Sequence, residues 1–95
     1  NSLAAFLYAE GDCERALALY RKSMRYTLRF FGENVEYGIT WQNMAHVYEK
    51  MGQRTEAAAA LERAEKVYAR LLGPEHERTQ SAGDELQRLR RANGA

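Results

Sequence analysis

Apolar residues along this chain recur at intervals of three and four, the spacing of helices that turn one face to a core. Trp41, Met44, Ala45, Tyr48 and Met51 share one such face. After a break at Gly52, Ala57, Leu61, Ala64, Tyr68 and Leu71 follow at steps of four, three, four and three. Ala16, Tyr20, Met24, Thr27 and Phe31 repeat nearly the same spacing upstream. A shorter opening segment keeps only Leu3, Ala4, Phe6 and Leu7, and Leu86 and Leu89 mark a last helix. The pattern predicts five helices: a partial one, then about 12–31, 35–51, 54–72 and 76–92. Asp12 and Asn34 stand where a side chain can cap a helix start. Gly11, Gly32, Gly52 and Gly73 stand where a left-handed residue ends one. Pro74 suits a loop or a first helical turn, and a further turn is expected near Asn93-Gly94.

The stops also reveal a repeat. Gly11 and Gly52 are 41 residues apart, as are Gly32 and Gly73. The same offset pairs Ala4 with Ala45, Ala16 with Ala57, Ala18 with Ala59 and Arg29 with Arg70. Each unit reads as two helices joined by a short loop, hence an antiparallel hairpin. Stacked hairpins bury a continuous core that one unit cannot bury alone. The expected fold is all-α: a right-handed superhelix of antiparallel helix pairs, about two and a half units long. It is one domain over 1–95, with a truncated first unit at 1–32, a second at 33–73 and a terminal or capping helix at 74–95. About three units are usually needed for stability. A segment cut from a longer array is therefore expected.

The second unit reads Trp41-Gln42-Asn43-Met44-Ala45-His46-Val47-Tyr48, followed by Gly52 and Ala57. This resembles the tetratricopeptide pattern W-x-x-L-G/A-x-x-Y. Small Ala45 and Ala57 let two helices approach closely, with Trp41 and Tyr48 beside them. The unit is longer than the usual 34 residues and resembles the kinesin light chain type. The resemblance rests on the loop Leu72-Gly73-Pro74-Glu75-His76 and the helix start Trp41-Gln42-Asn43-Met44-Ala45. The segment from Leu72 to Thr79, with a helix after it, is also similar to the carboxyl-terminal repeats of the clustered-mitochondria family. The first unit departs from the pattern at Leu7 and Ser23, and its loop Phe31-Gly32-Glu33-Asn34 lacks the proline and histidine.

Composition narrows the function classes. Alanine, leucine, glutamate and arginine abound, and all favour helix. A net charge of +1 over 95 residues gives no overall pull toward nucleic acid or membrane. No apolar run approaches a membrane span, and no targeting signal is visible from Asn1 onward. Cys13 is the one cysteine, which excludes an internal disulfide. A cytoplasmic location is expected.

The resemblance implies that the first helix of each pair lines a concave face and grips a peptide segment of a partner. The candidate contacts are Tyr8; Gln42, Asn43, His46, Glu49 and Lys50; and Asp84, Gln87, Arg90 and Arg91. Asn43 matches the second asparagine of the L-N-N-L-A helix, which implies hydrogen bonds to a bound peptide. An asparagine can donate and accept at once. The plain alternative is that these are solvated helix positions. A clamp for carboxyl-terminal peptides is excluded, since Ala5, Gly83 and Gln87 fall where it needs asparagine and basic groups.

Arg21, Lys22, Arg25 and Arg29 form a basic stripe on a second helix, expected to face away from the groove. It reads as a solvated face, or as a contact for RNA phosphate or an acidic partner. His46 and His76 lie thirty residues apart without ligand-spaced companions, so no metal is expected. Cys13 has no histidine partner in view, and the glycines form no phosphate-cradling loop. No catalytic residues, cofactor or enzymatic activity are expected. The alternatives to a peptide-binding scaffold are RNA or ribonucleoprotein binding and a structural spacer, with self-association through the array ends as a further contact.

Overall fold

Among the described residues, backbone hydrogen bonding closes five helices where the periodicity places them. The computed structural model describes residues 2–94. Helix α1 spans Ser2–Ala9, α2 Cys13–Phe30, α3 Val35–Lys50, α4 Arg54–Leu72 and α5 Glu77–Gly94. The last helix runs through Gly94, so the turn expected at Asn93-Gly94 does not form.

Local chemistry sets the boundaries. The Asp12 side chain accepts from the Arg15 N–H, and Asn34 Oδ1 accepts from the Tyr37 N–H at 3.0 Å. Gly11, Gly32, Gly52 and Gly73 all have positive φ, between 76° and 94°, a region that costs glycine little. The loop before α5 is stitched closed. The Thr79 hydroxyl donates to the Gly73 carbonyl at 2.8 Å, and the Arg78 N–H donates to His76 Nδ1 at 3.1 Å. His76 is thus engaged at the start of α5.

The helices stack in chain order, each against its neighbour, in a slab of 32 × 30 × 17 Å. Helix α3 divides its apolar face between two sides. Met44 and Val47 join Ala4, Leu7, Leu17 and Tyr20 of the first pair. Ala45 instead joins Leu61 of α4 and Leu86 and Leu89 of α5. A third cluster sets Tyr68 of α4 beside Ala82 of α5, with Val35 and Ile39 of α3 against it. Trp41 touches all three clusters, which makes it the pivot of the stack.

One close approach depends on a glycine. A Cβ on Gly38 would lie 2.8 Å from Tyr68 Cε1 and 3.2 Å from Val67 Cγ1. The absent side chain lets the Tyr68 ring rest directly on α3.

Four apolar positions depart from the expected core. Leu3, Phe6, Phe31 and Leu71 are exposed. A stripe spaced at 3.5 residues drifts about 20° per heptad on a straight helix. Leu71 lies two heptads beyond Ala57, so it has rotated away while Val67 and Tyr68 are buried. Phe31 lies just past the end of α2. Leu3 and Phe6 lie on the side of α1 away from Ala4 and Leu7, which are the positions packed on α2 and α3.

Candidate functional site

Helices α1, α3 and α5 are the first members of their pairs, and the candidate residues lie along them. Their side chains fall into three groups. The first group ties α3 to α5. Gln42 Nε2 meets Ser81 Oγ at 3.5 Å, and Gln42 Oε1 accepts from the Tyr68 hydroxyl at 2.9 Å. His46 Nε2 lies 2.8 Å from Glu85 Oε1. Arg88 holds the Glu49 carboxylate in a fork, at 2.8 and 3.2 Å. Planar pairing of this kind is the stronger form of ion pair.

The charges on these groups follow from their partners. The hydrogen bond to Glu85 holds the His46 imidazole above its usual range, although burial works against the charged form. The same bond holds the Glu85 carboxyl below the usual carboxylate range. Arg88 does likewise for Glu49, through its hydrogen bond. Burial raises the Tyr68 phenol, which remains a neutral donor to Gln42.

The second group joins α1 to α3. Lys50 Nζ donates to the Tyr8 carbonyl at 2.9 Å and sits 4.6 Å above the Tyr8 ring. The cation thus serves as both donor and ring partner. The third group lies on α5 and toward α4. Arg90 donates to Glu62 of α4 at 2.9 Å. Asp84 and Gln87 line a cavity of about 320 Å³ with Glu65, Lys66 and Pro74. Asn43 is half-buried on α3, and Arg91 is exposed. The structure therefore brings Gln42, His46 and Glu49 together with α5, and joins Tyr8 to Lys50. It turns Arg90 toward α4 and leaves Asp84 and Gln87 exposed on α5.

Three partners were missed in the sequence: Ser81, Glu85 and Arg88. Each stands 39 residues after the group it meets, against Gln42, His46 and Glu49 in turn. A constant 39-residue spacing of complementary groups is the signal that would have found them. The repeat offset of 41 matches equivalent positions, whereas two facing helices meet through opposite faces.

The basic stripe is not uniform. Arg21 is exposed and donates to the Tyr48 hydroxyl of α3 at 2.8 Å. Arg29 lies over the Phe30 ring at 5.5 Å. Lys22 and Arg25 are exposed. Beyond the stripe, Arg63 covers the Trp41 ring at 5.0 Å, and the buried Trp41 N–H has no hydrogen-bond partner among the described residues.

Comparison with known proteins agrees with this fold. Residues 1–70 match the family model of the tetratricopeptide repeat. Among solved structures, the chain is similar to a Podosopora anserina protein assigned as a kinesin light chain, with nearly identical TPR-like repeats. The TM-score is 0.81 at 26% identity, over 98% of this chain and 44% of that one. This chain thus spans less than half the length of that structure. No curated protein sequence matches significantly. The chain belongs to the tetratricopeptide repeat family, and its units are of the long kinesin-light-chain type.

Proposed function

We propose that this member of the tetratricopeptide repeat family is an interaction scaffold that holds an extended peptide segment of a partner across α1, α3 and α5. The family and the fold support a protein-interaction role in general. One observation carries the peptide reading. Gln42, His46 and Glu49 are tied to α5, while Asn43 and Lys50, seven residues apart, share another face of α3, where Lys50 bridges to Tyr8 of α1. Asp84 and Arg91 stand at the same spacing on α5. Asn43 supplies a donor and an acceptor, and Asp84 and Arg91 supply one charge of each sign. Such a lining meets the paired N–H and C=O groups of an extended chain.

The same proposal takes 1–32, 33–73 and 74–95 as two repeats and a capping helix, gives the chain no catalytic role and places it in the cytoplasm. Among the described residues no helix is long and apolar enough to cross a membrane.

The test starts from peptides selected on the wild-type chain from a random display library. Asn43→Ala combined with Asp84→Ala should weaken them about tenfold, the equivalent of ~1.4 kcal/mol, with helicity by circular dichroism unchanged. Unaltered affinity would sink the groove reading. RNA binding through Arg21, Lys22, Arg25 and Arg29 makes the opposite demand: retention that falls steeply with salt and flattens when the arginines are replaced. It has less behind it, because Arg21 is engaged with Tyr48.

A further inference from the structure

The second helices of the two pairs, α2 and α4, overlay in sequence by the 41-residue offset. On the side of α2 opposite Ala16, Tyr20 and Thr27 run Ala18, Lys22, Arg25 and Arg29, at steps of four, three and four. The offset carries these onto Ala59, Arg63, Lys66 and Arg70 of α4. Lysine and arginine change places at two of the three cation positions, yet the sign of the charge repeats at all three. All eight residues are exposed. Helix α4 has α2 and α3 before it and α5 after it, and its row is still open. The row on α2 takes the equivalent places, so a helix pair stacked before α2 in the same register leaves that row open as well.

These rows are poorly neutralised within the chain. Among the described residues, Lys22, Arg25, Arg29 and Arg63 have no carboxylate within ion-pair distance. From Arg15 to Gly32 the sequence holds no carboxylate at all. Glu62 and Glu65 flank the row on α4 but lean toward α5, Glu62 onto Arg90 and Glu65 against Gly83. Like charges three and four residues apart on a helix repel and destabilise it. Helix stability therefore does not account for three cations at the same places in both units, whereas a counter-charge from outside the chain does.

We propose that the two rows form a docking surface for an acidic helix of a partner protein. Carboxylates at steps of three and four on a helix rise by about 4.5 to 6 Å, the same rise as between neighbouring cations of each row. The chain itself shows how a carboxylate sits here, since Glu33 meets Arg70 and Glu62 meets Lys66. A nucleic-acid strand finds less. The Trp41 ring next to the α4 row is covered by Arg63 at 5.0 Å and is not free to stack a base. Glu62 and Glu65 also stand where a continuous phosphate chain would be repelled. This surface belongs to α2 and α4, apart from the α1, α3 and α5 face, so either reading can fail alone.

The probe is a fluorescent, alanine-rich peptide of about 18 residues with glutamates at alternating steps of four and three. It is titrated at low salt with the 95-residue chain and read by anisotropy. Saturable binding is expected, and it should weaken as salt rises. Arg25→Glu with Lys66→Glu should weaken it about tenfold or more, with helicity by circular dichroism unchanged. Arg25→Lys with Lys66→Arg should retain it, and so should Asn43→Ala with Asp84→Ala, which lie on the other face. Absence of saturable binding at millimolar peptide would overturn the proposal. So would equal binding of a peptide with the same composition and its glutamates consecutive, or binding that the Arg25→Glu, Lys66→Glu variant retains. Two other results reassign the surface and overturn it equally. One is tighter binding of a uridine oligonucleotide than of the peptide at the same salt, which makes it a nucleic-acid contact. The other is capture by phosphatidylserine vesicles without peptide binding, which makes it a membrane contact.

Discussion

Helices α2 and α4 occupy equivalent places in successive pairs, yet their second halves have opposite fates. On α4, Tyr68 is enclosed by α3 and α5. On α2, the equivalent is the smaller Thr27, and the aromatic residues stand outside. Both helices carry an arginine at the equivalent position, Arg29 and Arg70, but only Arg70 has an acid partner among the described residues. Similar helical patterning therefore does not by itself fix burial: on α4 the start of α3 supplies it, through Gly38, Val35 and Ile39.

This contrast can be broken first at Tyr68. Tyr68→Ala should cost ~3–5 kcal/mol in urea unfolding, as large core truncations do. Thr27→Ala, its counterpart, should cost about 1 kcal/mol. Equal losses would mean that the two halves are equally structural. Next comes the contact that encloses Tyr68. Gly38→Leu should destabilise by ~1–3 kcal/mol, because a Cβ there meets the ring at 2.8 Å. A thermal melt unchanged from wild type would show that α3 does not press on α4 this closely.

A smaller effect is expected from the link between α3 and α5. His46 titrates above its ordinary 6.5 in the folded chain, so its contribution is complete below that value. That contribution is lost as pH rises through the raised folded value. Glu85 titrates below its ordinary 4.5, so its contribution is present above that value and lost as pH falls through the lowered one. The pair therefore stabilises most from roughly pH 5 to 6.5. The wild-type melting temperature should fall on going from pH 6 to pH 8, and His46→Gln should flatten that slope. An unchanged slope in the variant would assign the pH dependence elsewhere. The smallest effect belongs to the bare end of α2. Phe30→Ser with Phe31→Ser should alter stability by no more than about 0.5 kcal/mol, as exposed substitutions do. A larger loss in urea unfolding would show that these rings are already covered.

Much of this fold is legible in the chain itself. The glycine stops, the caps Asp12 and Asn34, and the small pair Ala45 and Ala57 are local or periodic features. Short-range backbone preferences and helical geometry suffice to read them. The candidate site was legible only as a set of helix positions. Periodicity names Gln42, His46 and Glu49 as lying off the core, without saying which neighbour they face. Their partners Ser81, Glu85 and Arg88 come from a helix 39 residues away.

The sequence alone determined the five helices, the 41-residue repeat and the family, because each depends on spacing within one chain segment. Tertiary structure decided the rest. It set the exposed Arg21 against the Tyr48 hydroxyl and made Gly38 a contact surface for Tyr68. These outcomes depend on the separation and rotation at which two helices meet. Such quantities belong to pairs of elements and are not encoded in the periodicity of either alone.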